Sequence, residues 1–160
     1  MRVVVSDSGP LICLGRLDLL RLLPALFAEV HVPRQVLQEC TAKPERPDAA
    51  RIAAAVAQGW LAPCHAQPLP MAALGRGERA AMAQALTIGA GLLSDDREAR
   101  SQASRLGLQV TGTLGVLVRG KRAGLVPAVA PLFVQLRFGG QRFSQAAIEQ
   151  ALAAAGEGSQ

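Results

Sequence analysis

The sequence predicts an α/β fold: a three-layer α/β/α arrangement around a central parallel sheet of about four strands, with a C-terminal helical extension. Two observations carry this. Short apolar or β-branched runs alternate with longer segments of helical period along the first 125 residues, which is the pattern of βαβ units. Half of the 160 residues are hydrophobic and 18% are charged, so the chain has the apolar surface for a packed core and is not a disordered linker.

The expected strands are Val3–Ser6, Val30–Val32, Gly91–Ser94 and Leu108–Thr111. Between the first two, Leu17, Leu20, Leu23 and Leu26 fall on one helical face. Pro33 closes the second strand and opens a helix with Val36, Leu37 and Cys40 on its apolar face; Ile52 and Val56 mark another. The segment Glu78–Ile88 predicts a helix burying Ala81, Ala85 and Ile88, and the next does the same through Ala99, Ala103 and Leu106. Prolines and mixed charge make loops of Thr41–Pro47 and Pro63–Pro70. Past Gly124 only helical patterns remain, Val129–Leu136 and Gln145–Ala154. The expected organisation is therefore a domain over 1–125, a helical extension over 126–155 packed on it, and a flexible tail over 156–160.

Cys13, Cys40 and Cys64 are odd in number and widely spaced, which points to reduced thiols and a cytoplasmic location. The first apolar residues give way to Asp7 too soon for a signal peptide, and Pro127 and Pro131 break the stretch that comes nearest to a membrane span. The net charge is +5, and fifteen of the seventeen basic residues are arginine, the side chain suited to bidentate phosphate contact. An anionic partner and plain solubility both remain open on composition.

The placement of acids is more informative. Ligands of an open parallel sheet bind beyond the carboxyl ends of its strands, where Asp7 and the pair Asp95-Asp96 stand. One aspartate would cap the helix starting near Arg97; the second goes beyond that need. Glu78 suits the first turn of its helix, whereas Glu39 lies near a helix C-terminus, against the dipole. The histidines and cysteines lack zinc spacing, and no P-loop, dinucleotide fingerprint or nucleophile elbow is present. Gly112-Thr113 after the last strand reads as an ordinary helix start with Thr113 as N-cap.

The order Asp7, Glu39, Glu78, Asp95-Asp96 resembles that of PIN-domain ribonucleases. The likeness is strongest to a prokaryotic PIN-like branch, through Val5-Ser6-Asp7-Ser8-Gly9-Pro10-Leu11-Ile12, Gly75-Arg76-Gly77-Glu78-Arg79-Ala80, Leu92-Leu93-Ser94-Asp95-Asp96-Arg97-Glu98-Ala99-Arg100 and Gly112-Thr113-Leu114-Gly115-Val116-Leu117. The resemblance implies an acidic pocket of Asp7, Glu39, Glu78 and Asp96, with Asp95 beside it and Asp7, Glu78, Asp95 and Asp96 as metal ligands. Glu78 stands where the toxin branch more often has aspartate. Mg²⁺ or Mn²⁺ would relieve the repulsion of such a cluster. Removing the five acids from twelve leaves seven against seventeen bases, a net charge of +10 for the surroundings. Arg97, Arg100, Arg119, Lys121 and Arg122 are the expected nucleic-acid contacts. The implied activity is metal-dependent endoribonucleolytic hydrolysis, and the implied role is the toxin of a toxin–antitoxin pair. The alternative is a PIN-like nucleic-acid-binding or regulatory protein that cleaves nothing. Expected partners are an RNA substrate, a small antitoxin protein and a second copy of the chain in a dimer.

Overall fold

The computed structural model describes residues 2–158. The chain runs β1 (Val3–Ser6), α1 (Ser8–Arg16), α2 (Leu22–Leu26), β2 (Glu29–Pro33), α3 (Arg34–Cys40), α4 (Pro47–Ala57), β3 (Ala62–Cys64) and α5 (Arg76–Ile88). It continues through β4 (Gly91–Leu93), α6 (Arg97–Arg105), β5 (Val110–Thr111), α7 (Thr113–Arg122), α8 (Ala130–Phe138) and α9 (Gln145–Ala154). The strands form one parallel sheet in the order β3-β2-β1-β4-β5.

The sheet has five strands where about four were expected. The additional one is β3, inside a stretch the prolines mark as loop. Pro63 lies opposite Val32, and proline is tolerated there because β3 is an edge strand whose missing N–H faces no neighbour.

Alternation along β1 divides the core. Val4 faces the side covered by α1, α2, α4, α7 and the C-terminal helices, with Leu14, Leu23, Ile52, Leu117 and Phe133 buried around it. Val5 faces the side covered by α5 and α6, with Ala81, Met82, Ala85, Ala99 and Ala103. Small residues on those two helices permit close approach to the strands. At a few tens of cal/mol per Å² of apolar surface, these two layers supply most of the driving force for folding.

Two packing expectations are corrected. The leucine stripe at 17, 20, 23 and 26 does not form one helix: α1 ends at Arg16, Asp18 takes a left-handed conformation (φ 56°), and α2 begins at Leu22. Ile88 and Leu106 stay exposed, because they occupy the last turn of α5 and the C-cap of α6, past the strands that cover the alanines. Glu157 accepts hydrogen bonds from Lys121 Nζ (2.8 Å) and from Val129 and Ala130 N–H (2.8 and 3.1 Å), holding the chain end to α7 and to the start of α8. Residues 159 and 160 of the expected tail lie outside the described ones. Among the described residues no helix is long and apolar enough to cross a membrane.

Candidate active site

The strand order reverses at β1. The chain steps outward through β2 and β3, then returns to place β4 on the other side of β1. At such a switch point the loops leaving two adjacent strands diverge and open a crevice beyond their carboxyl ends. Asp7 leaves β1 there, and its N–H donates to Leu93 O at the end of β4 (2.9 Å), locking the two strand ends together.

Asp7 is buried and caps α1: its Oδ1 accepts from Ser8 N–H (2.8 Å), and its Oδ2 accepts from the Ser94 hydroxyl (3.2 Å). Burial pushes its carboxyl up to about 7, with the charges of Glu78 and Glu39 adding to the rise and the two hydrogen bonds opposing it. Glu78 is half-buried on the first turn of α5, and its Oε2 accepts from Gly75 N–H (2.9 Å). Burial raises its pKa first; Asp96 and Glu39 add to the rise, and the Gly75 bond opposes it. Asp96 is exposed and caps α6 by accepting from Ala99 N–H (2.8 Å). Glu78 is thus the link: its charge and that of Glu39 act on Asp7, and those of Asp96 and Glu39 act on Glu78.

Glu39 reaches this place because Gly77 has no side chain. A Cβ there would stand 2.6 Å from Glu39 Oε1 and 3.2 Å from Val36 Cγ2. Glycine inside a helix costs about 1 kcal/mol relative to alanine, so Gly77 is explained by the approach of α3 to α5 and not by helix formation.

Asp95 goes elsewhere. Its oxygens accept from the N–H (2.7 Å) and the hydroxyl of Thr113, the first residue of α7, and burial raises its pKa. Thr113 is therefore not the N-cap expected of it: Gly112 holds that position, and Thr113 is the donor to a carboxylate supplied from the end of β4. A Cβ at Gly112 would meet Arg100 Nη1 at 2.7 Å and Asp95 Oδ1 at 2.8 Å, so this join also requires glycine. The contribution that the sequence leaves unsuspected is Ser94, fully buried, whose hydroxyl donates to Asp7 and accepts from Asp96 N–H (3.3 Å). A small hydroxyl residue between the end of a buried strand and an acid pair is the signal that marks it.

The expected nucleic-acid contacts divide. Arg97, Arg100, Arg119 and Arg122 line a groove of about 990 Å³ between α6, α7 and α9, joined there by Arg142. Four of the five expected contacts are engaged within the protein. Arg119 stacks 4.6 Å from the centre of the Phe27 ring and donates to Leu26 O; Lys121 donates to Ala155 O and pairs with Glu157; Arg122 donates to Ala154 O. Lys121 and Arg122 satisfy carbonyls at the end of α9, where cations also suit the helix dipole. Arg100 donates to Ser94 O (3.0 Å). Among the described residues Arg97 makes no hydrogen bond or ion pair.

Among the described residues no three His, Cys, Asp or Glu side chains are gathered tightly enough to hold a metal ion as they stand. The donor chemistry nonetheless fits a hard divalent cation. Asp7, Glu39 and Glu78 are carboxylates that repel one another, Asp96 repels Glu78, and among the described residues no basic side chain forms an ion pair with any of the four.

The chain belongs to the DUF3368 family, a PIN domain, whose sequence model matches residues 3–157. PIN domains are generally nucleases that typically use divalent metals. No curated protein matches the chain. Among solved structures it is similar in fold to a PilT N-terminus domain protein from the hyperthermophilic archaeon Sulfolobus solfataricus, with a TM-score of 0.52 and 14% identity over 73% of this chain and 92% of that one.

Proposed function

We propose that the protein is a divalent-metal-dependent endoribonuclease acting on RNA phosphodiester bonds, and that it serves as the toxin of a toxin–antitoxin pair. The observation that carries the nuclease reading is the placement of Asp7 at the switch point of a parallel sheet, where the charges of Glu78 and Glu39 reach it and Asp96 in turn acts on Glu78, without a basic partner among the described residues. The toxin role rests on the likeness of the sequence motifs to that branch of PIN proteins.

Asp7, Glu78 and Asp96 would hold the cation, Mg²⁺ or Mn²⁺, with Glu39 beside them. When bound, the cation supplies electrostatic stabilisation of charge on the scissile phosphate and activation of water. The chain's own residues prepare the site. Ser94 orients the Asp7 carboxylate from one side and the start of α6 from the other. Burial of Asp7 keeps its oxygens out of bulk water, which strengthens their electrostatic action. Arg97, one residue past Asp96 and without a side-chain partner among the described residues, would attract the substrate backbone.

One observation favours a second reading, an RNA-binding PIN-like protein that does not cleave: the Glu78 carboxylate folds back on Gly75. Incubation of purified protein with RNA and Mn²⁺, with and without EDTA, separates the two. Cleavage that EDTA abolishes and Asp96→Asn removes supports the ribonuclease. Full cleavage in EDTA, or by Asp96→Asn, overturns it, and binding without cleavage selects the second reading.

A further inference from the structure

The two helices that carry Glu39 and Glu78 also wall a basic concavity free of acids. It measures about 420 Å³ and is walled by Arg34, Gln35 and Gln38 of α3, His65 and Gln67 of the loop after β3, and Arg76 at the start of α5. Glu39 follows Gln38 directly, Glu78 comes two residues after Arg76, and the α3 and α5 walls touch where Glu39 lies against Gly77. The pocket and two of the acids, Glu39 and Glu78, are thus carried by the same two helices, α3 and α5, which meet at Gly77.

Its arginines differ from most others in the chain. Arg16, Arg51, Arg79, Arg119 and Arg122 donate to main-chain carbonyls, and Arg46 pairs with Asp48. Among the described residues the side chains of Arg34 and Arg76 make no hydrogen bond or ion pair, although each shares a helix with one of the acids. Two unengaged guanidinium groups in a pocket without acids suit an anion with several oxygen acceptors. The wall is also held in place. Gln35 Nε2 donates to Ala66 O (2.9 Å), tying the loop to α3, and this leaves Gln35 Oε1 buried without a donor among the described residues. Such a buried, unsatisfied acceptor marks a wall fixed at local cost. No large apolar side chain lines the pocket, so it offers a protein segment no anchor.

We propose that this pocket is a substrate subsite that holds the ribonucleotide adjoining the scissile phosphate. Its phosphates contact Arg34 and Arg76, and its base edge meets the amides of Gln38 and Gln67. Amides present a donor and an acceptor at one place, so the subsite biases which nucleotide flanks the cut. This rests on the ribonuclease reading and adds to it a location and a source of selectivity.

The test uses the full chain and a short fluorescein-labelled single-stranded RNA. Binding across a salt series is measured in the Asp96→Asn background, and cleavage kinetics in Mn²⁺ in the active one. Arg34→Ala/Arg76→Ala is expected to reduce the slope of log Kd against log salt by about 0.7 to 1.4, for one or two lost phosphate contacts. It should raise KM about tenfold while kcat changes by less than about threefold. Arg34→Lys/Arg76→Lys should restore the slope, and Gln38→Ala/Gln67→Ala should change the pattern of cleaved sites. Arg105→Ala/Arg137→Ala, which removes the same charge elsewhere, is the control. If the wild type cuts and the pocket variant matches this control, or loses kcat at unchanged KM, the subsite is refuted and the ribonuclease stands. If the wild type neither binds nor cuts, both fall.

Discussion

Replacing Asp7 by asparagine removes the most deeply buried charge of the site while keeping its shape and its ability to cap α1, since asparagine is as good an N-cap as aspartate. The folded carboxyl sits at about 7 against an ordinary value of 3.8. A raised folded pKa means that the proton stabilises the fold. The stability is fully present below the unfolded value, falls as pH rises from about 4 to about 7, and stays low above that. A rise of this size corresponds to about 4 kcal/mol, an upper bound for a group whose neighbours titrate with it. The Asp7→Asn variant escapes this loss, so in EDTA near pH 8 it should be more stable than wild type by about 2 to 4 kcal/mol. In a chain of this size that is roughly 5 to 15 °C in Tm. Near pH 4 the two proteins should melt together. Millimolar Mn²⁺ should reverse the ranking at pH 8, because an ion that binds only the folded wild type stabilises it by mass action. The assay is thermal melting of both proteins under the three conditions. A variant less stable than wild type in EDTA at pH 8, or equally stabilised at both pH values, would refute the reasoning and leave Asp7 as a helix cap.

Gly77→Ala gains helix propensity in α5 but displaces the Glu39 carboxylate and crowds Val36; Tm should move by only a few degrees while cleavage falls at least about tenfold, as melting and initial rates will show. Lys121→Ala should cost about 1 kcal/mol in urea unfolding, because Glu157 and the end of α9 lose their partner, with RNA affinity unchanged; a large affinity loss would instead make Lys121 a phosphate contact. The Lys121 bond and the bonds to the start of α8 lower the Glu157 pKa, so their stabilisation should be present above about pH 4.5 and fade in more acidic solution, whereas Glu157→Gln should flatten that part of the pH profile. Thr113→Val leaves the Asp95 carboxylate short of a donor inside the protein, and a loss of about 1 to 3 kcal/mol is expected by denaturant unfolding, with Mn²⁺ affinity retained.

Periodicity and local chemistry alone determine much of this protein. The runs at β1, β2 and β4 announce strands because branched and apolar side chains cluster there between turn residues, and α9 is legible to the residue from Gln145 to Ala154. The position of an acid after a strand is likewise a sequence property, which is why Asp7 and Asp96 stand out without any knowledge of the fold. Tertiary structure decided what no local pattern encodes. β3 is a strand only because β2 offers it an edge, against the preference of Pro63. Asp95 and Asp96 are neighbours in sequence with different partners: one turns to Thr113 on α7 and the other caps α6, a choice set by which distant element packs against the end of β4. The basic run Arg119, Lys121 and Arg122 reads as a phosphate-binding face, yet Phe27, Glu157 and the carbonyls of α9 engage it, from segments more than thirty residues away. Charge belongs to a residue, but its partner is settled by packing, and packing depends on how distant parts of the chain meet.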